Sequence, residues 1–124
     1  MVDLISIFKS ILNGLVDIHK LKIYHRDLKP QNIIINLSTL KPKIIDFGLS
    51  LMIQPFTDIK SFKRCGTMGY MAPEVIANTS EVRKPYTEKC DIFSLGIIAY
   101  MILLGKNPLK GKTYEETYSK NKMC

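Results

Sequence analysis

The first part of the chain alternates apolar and polar residues with the period of an α-helix. Polar side chains fall largely on one side of residues 4–21, and Asp3 is suited to cap the first turn. The apolar positions predicted to share the other face are Leu4, Phe8, Ile11, Leu12, Leu15 and Ile18. The pattern therefore predicts an amphipathic helix that buries one side.

Two short β-branched runs follow a loop that contains a proline. The loop covers residues 26–32, and Pro30 excludes a regular helix interior there. Residues 33–35 are all isoleucine and predict a short buried strand, and residues 43–45 predict a second one. The turn between them would make a small hairpin, which returns the end of the second strand to the loop before the first.

The second half of the chain begins with a long stretch that has no period. Residues 48–69 fit neither a helix nor a strand, and irregular stretches of this length are commonly functional or mobile. Residues 73–77 predict a short helix with a proline near its start. Thr113 is predicted to cap a last helix that begins at about Tyr114.

The longest apolar pattern predicts the central helix. It covers residues 88–104, with Thr87 as the expected cap and Gly105 as the expected C-terminal stop. Residues 92–104 are apolar enough to be buried on nearly all sides and too few to span a bilayer. Together the elements predict a mostly helical α+β fold with one or two small hairpins around this helix.

Composition narrows the class of protein. The 124 residues allow one domain, and 46% hydrophobic with 23% charged residues is typical of a soluble globular protein. The net charge of +7 favours anionic partners. Because the basic residues are scattered and no basic stripe carries interleaved aromatics, a solvated surface is favoured over nucleic-acid binding, which stays as a minor alternative.

Cysteine usage points to a reducing compartment. The three cysteines form no C-x-x-C pair, and their odd number argues against a disulfide framework and a zinc site. No signal peptide is visible, so we expect an intracellular and cytoplasmic protein.

Four polar residues form the candidate chemistry of the chain. Asp27, Lys29 and Asn32 lie in the proline-containing loop, and Asp46 follows the second predicted strand. Phosphoryl transfer needs charge neutralisation around the phosphate and alignment of the attacking oxygen. Asp27 could orient a substrate hydroxyl, Lys29 could neutralise the phosphate, and the oxygens of Asn32 and Asp46 suit Mg²⁺.

The two histidines are interpreted as structural residues. His25 is flanked by Tyr24 and Arg26 and is predicted to be a hydrogen-bonded core residue rather than an acid or base. His19 lies on the first helix and is expected at the surface or its boundary. The pair does not have the ligand pattern of a metal site.

The chain resembles the eukaryotic protein kinases through four motifs in the family's order. They are HRDLKPQN at 25–32, DFG at 46–48, GTMGYMAPE at 66–74 and DIFSLG at 91–96. The resemblance covers nearly the whole chain. It implies that residues 1–124 form part of one catalytic domain, a segment of the C-terminal lobe in which small hairpins carry the catalytic and DFG loops.

The resemblance also implies a role for each candidate residue. Asp27 would be the catalytic base, and Lys29 would contact the γ-phosphate of ATP. Asn32 and Asp46 would be the Mg²⁺ ligands, and Ile34 would form part of the floor beneath the adenine. Lys29, placed two residues after the base, and Thr67 agree with the branch of the family that phosphorylates protein Ser and Thr hydroxyls.

Regulation by phosphorylation is implied as well. Residues 46–74 correspond to the activation segment, in which Thr57 and Ser61 are the candidate sites for an activating kinase. Arg26 would contact a phosphate added there. Thr67 matches the position that helps to hold the catalytic loop.

The resemblance further implies a packed column of His25, Phe47 and Asp91 that links the two loops to the central helix.

Other kinase features do not occur in this sequence. It has no G-x-G-x-x-G loop and no V-A-I-K-like lysine strand, so we expect weak ATP binding and very low activity from the chain alone. The central helix is expected to expose apolar surface. The alternative is a non-catalytic kinase-like module that binds substrates or a partner lobe without turnover.

Overall fold

The computed structural model describes residues 3–124 of the chain as four helices and four short strands. The helices are α1 (Leu4–Lys20), α2 (Pro73–Ile76), α3 (Lys89–Leu104) and α4 (Tyr114–Lys122). The strands are β1 (Ile23–Tyr24), β2 (Ile33–Ile35), β3 (Pro42–Ile44) and β4 (Leu51–Met52). Two 3₁₀ turns, Pro30–Asn32 and Ile59–Ser61, complete the elements, and the mostly helical α+β fold is confirmed.

Helix α1 forms as predicted, and its buried face agrees with the prediction in part, since Ile11 and Leu15 are buried. The Asp3 carboxylate caps it by accepting from the N–H groups of Ile5 and Ser6, at 3.1 and 3.2 Å. The side chains buried on α1 are Ile7, Ile11 and Leu15. Leu4 and Leu12 are 51% and 37% exposed, since β3 and α3 contact the helix along the other line of side chains.

The predicted hairpin is confirmed, with its second strand one residue earlier than expected. Strands β2 and β3 are antiparallel, and Ile33 pairs with Ile44. The prediction that residues 33–35 are buried is wrong for the last two, because Ile34 and Ile35 are 50% and 40% exposed. One side of the hairpin packs against α1 and α3, whereas the other has no cover within residues 3–124.

A second antiparallel pair was not predicted. Strand β1 pairs with β4 in the register Ile23 with Met52 and Tyr24 with Leu51. This pair and the turn Ile59–Ser61 lie partly or wholly in the stretch that the sequence left without structure. Two-residue strands are too short to show a period in the sequence. They form because they pair with each other, and no local pattern indicates them.

Helix α3 is the centre of the fold and separates two apolar clusters. Leu95 and Ile98 pack with the buried face of α1 and with Leu28. Cys90 packs instead into the second cluster, whose other members are Tyr24, Phe62, Met71, Ala72, Val75, Ile76 and Tyr86. Because α3 packs into both clusters, it holds the segments on its two sides in fixed positions relative to each other.

The ends of α3 differ slightly from the prediction. The helix begins at Lys89 with Glu88 in the cap position, whereas the Thr87 hydroxyl accepts a bond from the Lys89 N–H at 3.3 Å. Gly105 adopts a left-handed conformation (φ 72°) and stops the helix, as expected.

The apolar side of α3 is only partly covered. Leu103 is 79% exposed and Leu104 is 58% exposed, so burial on nearly all sides is wrong. The expectation that the central helix exposes apolar surface is confirmed.

The two shorter helices agree with their sequence signals. Pro73 begins α2, which ends at Ile76, and the Thr113 hydroxyl caps α4 by accepting from the Glu116 N–H at 3.2 Å. Among the helices of residues 3–124, none combines the length and the apolar character needed to cross a membrane.

Candidate functional site

A buried carboxylate on α3 fixes the loop between β1 and β2. Asp91 is fully buried, and its two oxygens accept the N–H groups of His25 and Arg26, each at 2.8 Å. The ring nitrogen Nε2 of His19 lies 2.8 Å from the same carboxylate. Arg26 has a positive φ of 67°, which these bonds help to stabilise. Residues 25–32 therefore start from a rigid anchor.

His25 ties this loop to the end of the second strand. Its Nε2 atom lies 2.9 Å from the Ile45 carbonyl oxygen, and its Nδ1 atom accepts the Asp27 N–H at 3.2 Å. The neutral ring with hydrogen on Nε2 satisfies both bonds. The ring also packs edge-on against Phe47, with centroids 5.0 Å apart. The predicted core histidine is confirmed.

His25, Phe47 and Asp91 lie together as predicted, but they are joined by two different kinds of contact. The histidine ring contacts Phe47, whereas Asp91 contacts the backbone N–H of His25 rather than its ring. His19, which was expected at the surface or its boundary, lies at the boundary with a side chain 14% exposed, and it also reaches Asp91.

Asp27 lies at the centre of a hydrogen-bonded cluster. Its Oδ1 atom accepts the Thr67 hydroxyl at 2.6 Å, and that hydroxyl in turn accepts the Lys29 ammonium at 2.8 Å. Lys29 Nζ lies 3.4 Å from Asp27 Oδ2. The side chains of Asp27 and Lys29 are 12% and 24% exposed, so the pair is mostly but not fully shielded from solvent.

Asn32 completes the cluster and keeps one oxygen available. Its amide Nδ2 donates to the Asp27 carbonyl at 2.8 Å and to Asp27 Oδ2 at 3.3 Å. Within residues 3–124 no hydrogen bond engages Asn32 Oδ1. The amide therefore orients Asp27 through its nitrogen and can offer its oxygen to a cation.

Asp46 is delivered to the same end of the hairpin by the strand register. The Ile45 N–H donates to the Asn32 carbonyl at 2.9 Å, which extends the β2–β3 pairing to the residue before Asp46. Asp46 itself is exposed and has a positive φ of 62°. Its Oδ1 atom accepts the Gly48 N–H at 3.2 Å, and no hydrogen bond engages its Oδ2 atom within residues 3–124.

The donors at this end fit Mg²⁺ and do not resemble a protein-only metal cage. No group of three His, Cys, Asp or Glu side chains in residues 3–124 could enclose a metal ion. Mg²⁺ is usually held by one or two protein oxygens, with waters and phosphates as its other ligands. The free amide oxygen of Asn32 and the exposed carboxylate of Asp46 match that requirement. Ile34 lies on β2, half exposed, opposite Lys43.

Arg26 connects the loop to the segment after Gly48. Its guanidinium donates to the carbonyls of Leu49 and Ser61, at 2.7 and 2.8 Å, and to the Tyr86 hydroxyl at 3.0 Å. That hydroxyl donates onward to the Lys63 carbonyl at 2.9 Å. Burial raises the pKa of Tyr86 to about 12, although the nearby Arg26 acts in the opposite direction.

The two candidate phosphorylation sites differ in their local bonding. The Thr57 hydroxyl donates to the Gln54 carbonyl and accepts the Gln54 N–H, at 2.9 and 2.7 Å. Ser61 lies at the end of the 3₁₀ turn, and its carbonyl is held by Arg26. No hydrogen bond engages the Ser61 hydroxyl within residues 3–124. The two residues are similarly half-buried, so they differ in the bonding of the hydroxyl and not in exposure.

Two asparagines that sequence reasoning missed support the segment after Thr67. The side chain of Asn121 on α4 is fully buried, accepts the Gly69 N–H at 2.8 Å and donates to the Met71 carbonyl. Asn107 donates to the Gly69 carbonyl at 3.2 Å. Asn121 lies in a polar helix with no apolar pattern, so no signal in the sequence singled it out.

The sequence of the chain is similar to those of known proteins. A model of the protein kinase domain family matches residues 2–124. The chain is 42% identical over 113 residues to calcium-dependent protein kinase 4 of Plasmodium berghei and of Plasmodium falciparum, covering 89% of this chain and 20% of each relative. It is 35% identical over 113 residues to mouse Aurora kinase C, covering 91% of this chain and 38% of that protein. The chain therefore spans well under half the length of these relatives.

Proposed function

Because the chain belongs to the protein kinase family, we propose that its Asp27 cluster transfers the γ-phosphate of ATP to a protein Ser or Thr hydroxyl. The observation that carries the proposal is the bridge in which one Thr67 hydroxyl bonds both Asp27 and Lys29. It places the group that would orient the attacking oxygen beside the cation that would face the phosphate.

The proposed roles within the cluster follow from which atoms are already engaged. Asp27 Oδ1 is held by Thr67 at 2.6 Å, whereas Oδ2 has only the longer contacts, 3.3 Å to Asn32 and 3.4 Å to Lys29. We assign Oδ2 as the atom that accepts the substrate hydroxyl. A carboxylate is a weak base, so it takes this proton late, once bonding to phosphorus has acidified the hydroxyl.

Charge neutralisation would be shared between the protein and the bound cofactor. When bound, ATP supplies the transferable phosphate and Mg²⁺ neutralises part of its charge. Asn32 Oδ1 and the Asp46 carboxylate would hold the metal ions, and Lys29 would contact the γ-phosphate. Ile34, exposed on β2, would contact the adenine through its apolar side chain.

An activating kinase is proposed as a partner that acts on Ser61. The Arg26 guanidinium already reaches the Ser61 carbonyl at 2.8 Å, so a phosphate on that serine would lie within reach of the same cation. Thr57 is the second candidate, with its hydroxyl bonded on both sides to Gln54.

The proposed function is tested by peptide phosphorylation with matched acceptors. Three peptides of the same sequence carry Ser, Thr or Tyr at one position, and transfer from ATP is followed with Mg²⁺ and with a chelator. We expect slow, Mg²⁺-dependent transfer to Ser and Thr, and a loss of at least about hundredfold in Asp27→Asn.

The matched control is Asp17→Asn, an exposed carboxylate on α1 whose recorded partner is Lys20. It should leave transfer unchanged. Retention of Mg²⁺ and ATP at millimolar concentration is measured alongside, in the chain and in Asp46→Asn. Equal transfer by Asp27→Asn and Asp17→Asn, or neither transfer nor nucleotide retention by the unaltered chain, would refute the proposal.

A further inference from the structure

An open cavity of about 1050 Å³ begins beside the Asp27 cluster and extends toward α4. One lining residue is Gln31, in the turn between Lys29 and Asn32. The adjoining wall is formed by residues 68–70, which directly follow Thr67. A molecule lying in this cavity would therefore pass next to the group proposed to orient the substrate hydroxyl.

The walls of the cavity are fixed by hydrogen bonds rather than by loose packing. Both polar backbone groups of Gly69 are engaged, the N–H by Asn121 at 2.8 Å and the carbonyl by Asn107 at 3.2 Å. Gly69 has a φ of 92°, and an added Cβ would lie 3.4 Å from the Asn107 amide nitrogen. The cavity is thus a preformed groove, which lowers the entropic cost of binding an extended ligand.

The lining of the groove is rich in positive charge. Four exposed lysines line it, and we call this surface the lysine groove; they are Lys106, Lys110, Lys112 and Lys120. Within residues 3–124 none of the four forms an ion pair with a carboxylate. Unmatched like charges on one concave wall favour an anionic ligand.

The described lining residues include one acidic side chain, Glu116, which takes part in the cap of α4. The Glu116 carboxylate accepts the Lys112 N–H at 2.7 Å, and the Glu116 N–H donates to the Thr113 hydroxyl at 3.2 Å. Together the two bonds stabilise the start of α4, where Thr113 is the cap residue. Gln31, the lining residue from the catalytic loop, is neutral. Among the described lining residues, four lysines therefore stand against one carboxylate, which makes the wall net positive.

We propose that the lysine groove binds an acidic segment of the protein substrate, and this proposal rests on the function proposed above. Asp or Glu side chains near the acceptor hydroxyl would pair with the lysines, while the hydroxyl itself would reach Asp27 Oδ2. A peptide fits better than a nucleic acid because the groove leads to residues suited to orienting a Ser or Thr hydroxyl. Selection would come from the charge around that hydroxyl.

Binding is tested without nucleotide, so that the result does not depend on phosphoryl transfer. Fluorescence anisotropy compares three labelled peptides that carry one Ser flanked by Glu, by Gln or by Lys, together with a single-stranded oligonucleotide. We expect the Glu peptide to bind at least about tenfold tighter than the Gln peptide, and its affinity to fall as salt is raised. The salt titration uses the unaltered chain and needs no variant.

The charge-reversal variant Lys106→Glu/Lys110→Glu is paired with Lys9→Glu/Lys89→Glu. Both change the net charge equally, and Lys9 and Lys89 are exposed residues outside the groove. Losing two exposed attractions and gaining two repulsions should weaken binding of the Glu peptide by about tenfold in the first variant. The second should bind nearly as the unaltered chain does.

The outcomes separate this proposal from the proposed function. Equal weakening in both variants, no preference for the Glu peptide, or tighter binding of the oligonucleotide would overturn the acidic-substrate proposal. Phosphorylation of all three peptides at equal rates would overturn it and leave the kinase function standing. A groove-dependent preference for the Glu peptide in a chain that never transfers phosphate would support the groove and refute the kinase function.

Discussion

Thr67 donates its hydroxyl hydrogen to Asp27 at 2.6 Å, across 40 residues of sequence. The same hydroxyl accepts from Lys29 at 2.8 Å. One side chain therefore holds the two charged groups of the proposed catalytic cluster at a fixed separation. Because the Thr67 backbone leads directly into Gly69 and the wall of the lysine groove, the cluster and the groove share a single support.

Removing the Thr67 hydroxyl should lower transfer without unfolding the protein. Thr67→Val keeps the shape and eliminates both hydrogen bonds, so Asp27 and Lys29 lose their common orientation. We expect the turnover number to fall by about ten- to hundredfold, since misplacing a positioned group costs this much. Steady-state phosphorylation of a Ser peptide measures it. Thr67→Ser retains the hydroxyl and should stay within about threefold of the unaltered chain; equal losses in Val and Ser would contradict the bridging role.

Asp91 should be among the most costly residues to remove. Asp91→Ala leaves the N–H groups of His25 and Arg26 without their acceptor in the core and frees His19 of its partner. Loss of a buried charged acceptor costs about 3–5 kcal/mol in comparable cases. Urea unfolding followed by circular dichroism measures the change. Asp17→Ala, at a carboxylate 74% exposed, should change stability by less than about 0.5 kcal/mol. Similar midpoints for the two variants would refute the anchoring role of Asp91.

Stability should fall at alkaline pH through Tyr86. The folded phenol has a pKa of about 12, raised from 10.0 by burial, so the folded state holds this proton more tightly than the unfolded state. The contribution is fully present below pH 10 and is lost as pH rises toward 12. Urea midpoints recorded from pH 8 to 12 should show this loss. In Tyr86→Phe the stability should be lower at pH 8, because the bonds to Arg26 and Lys63 are gone. Its decline from pH 8 to 12 should be shallower than that of the unaltered chain. Parallel declines would contradict the assignment.

The sequence predicted the centre of the site because its members are close along the chain. Asp27, Lys29 and Asn32 lie in one loop, and a single hairpin returns Asp46 to it through the pairing of Ile45 with Asn32. Period and turn signals are sufficient to place residues that one local element brings together. The contact of Thr67 with this loop was predicted from the resemblance to protein kinases and not from local patterns, because Thr67 lies 40 residues after Asp27.

The parts that the sequence did not predict depend on distant partners. The pairing of β1 with β4 involves two residues on each strand, and the buried Asn121 is one polar residue in a polar helix. The rotation of the buried face on α1 was fixed by contact with β3 and α3, neither of which is encoded in the helix itself. Local patterns indicate where an element forms, whereas tertiary contacts decide which side of it is buried.

The three cysteines should react with alkylating agents in a defined order. Burial raises the pKa of the Cys90 thiol well above its ordinary value, and the neighbouring Asp91 carboxylate adds to the shift. The thiolate is the reactive form, so Cys90 should remain unmodified at pH 8 in the folded chain. Cys124 is exposed and Cys65 is half-buried. Timed iodoacetamide labelling with peptide mass mapping should show Cys124 first and Cys90 last, and addition of urea should abolish the difference. Early labelling of Cys90 in the folded chain would contradict its burial.

The exposed end of α3 should cause the isolated chain to associate with itself. Leu103 and Leu104 are 79% and 58% exposed and adjoin each other on the helix, so water contacts apolar surface that another molecule can cover. Leu103→Glu should shift sedimentation velocity profiles toward the monomer at tens of micromolar protein. Because the Leu103 side chain makes little contact in the fold, the free energy of unfolding measured with urea should change by less than about 0.5 kcal/mol.

The control for this effect is Ser10→Glu, which adds the same charge at an exposed position on α1. It should leave the association unchanged if the apolar end of α3 is the contact surface. Monomerisation by Ser10→Glu as well would attribute the effect to net charge, and association that persists in Leu103→Glu would place the contact elsewhere on the molecule.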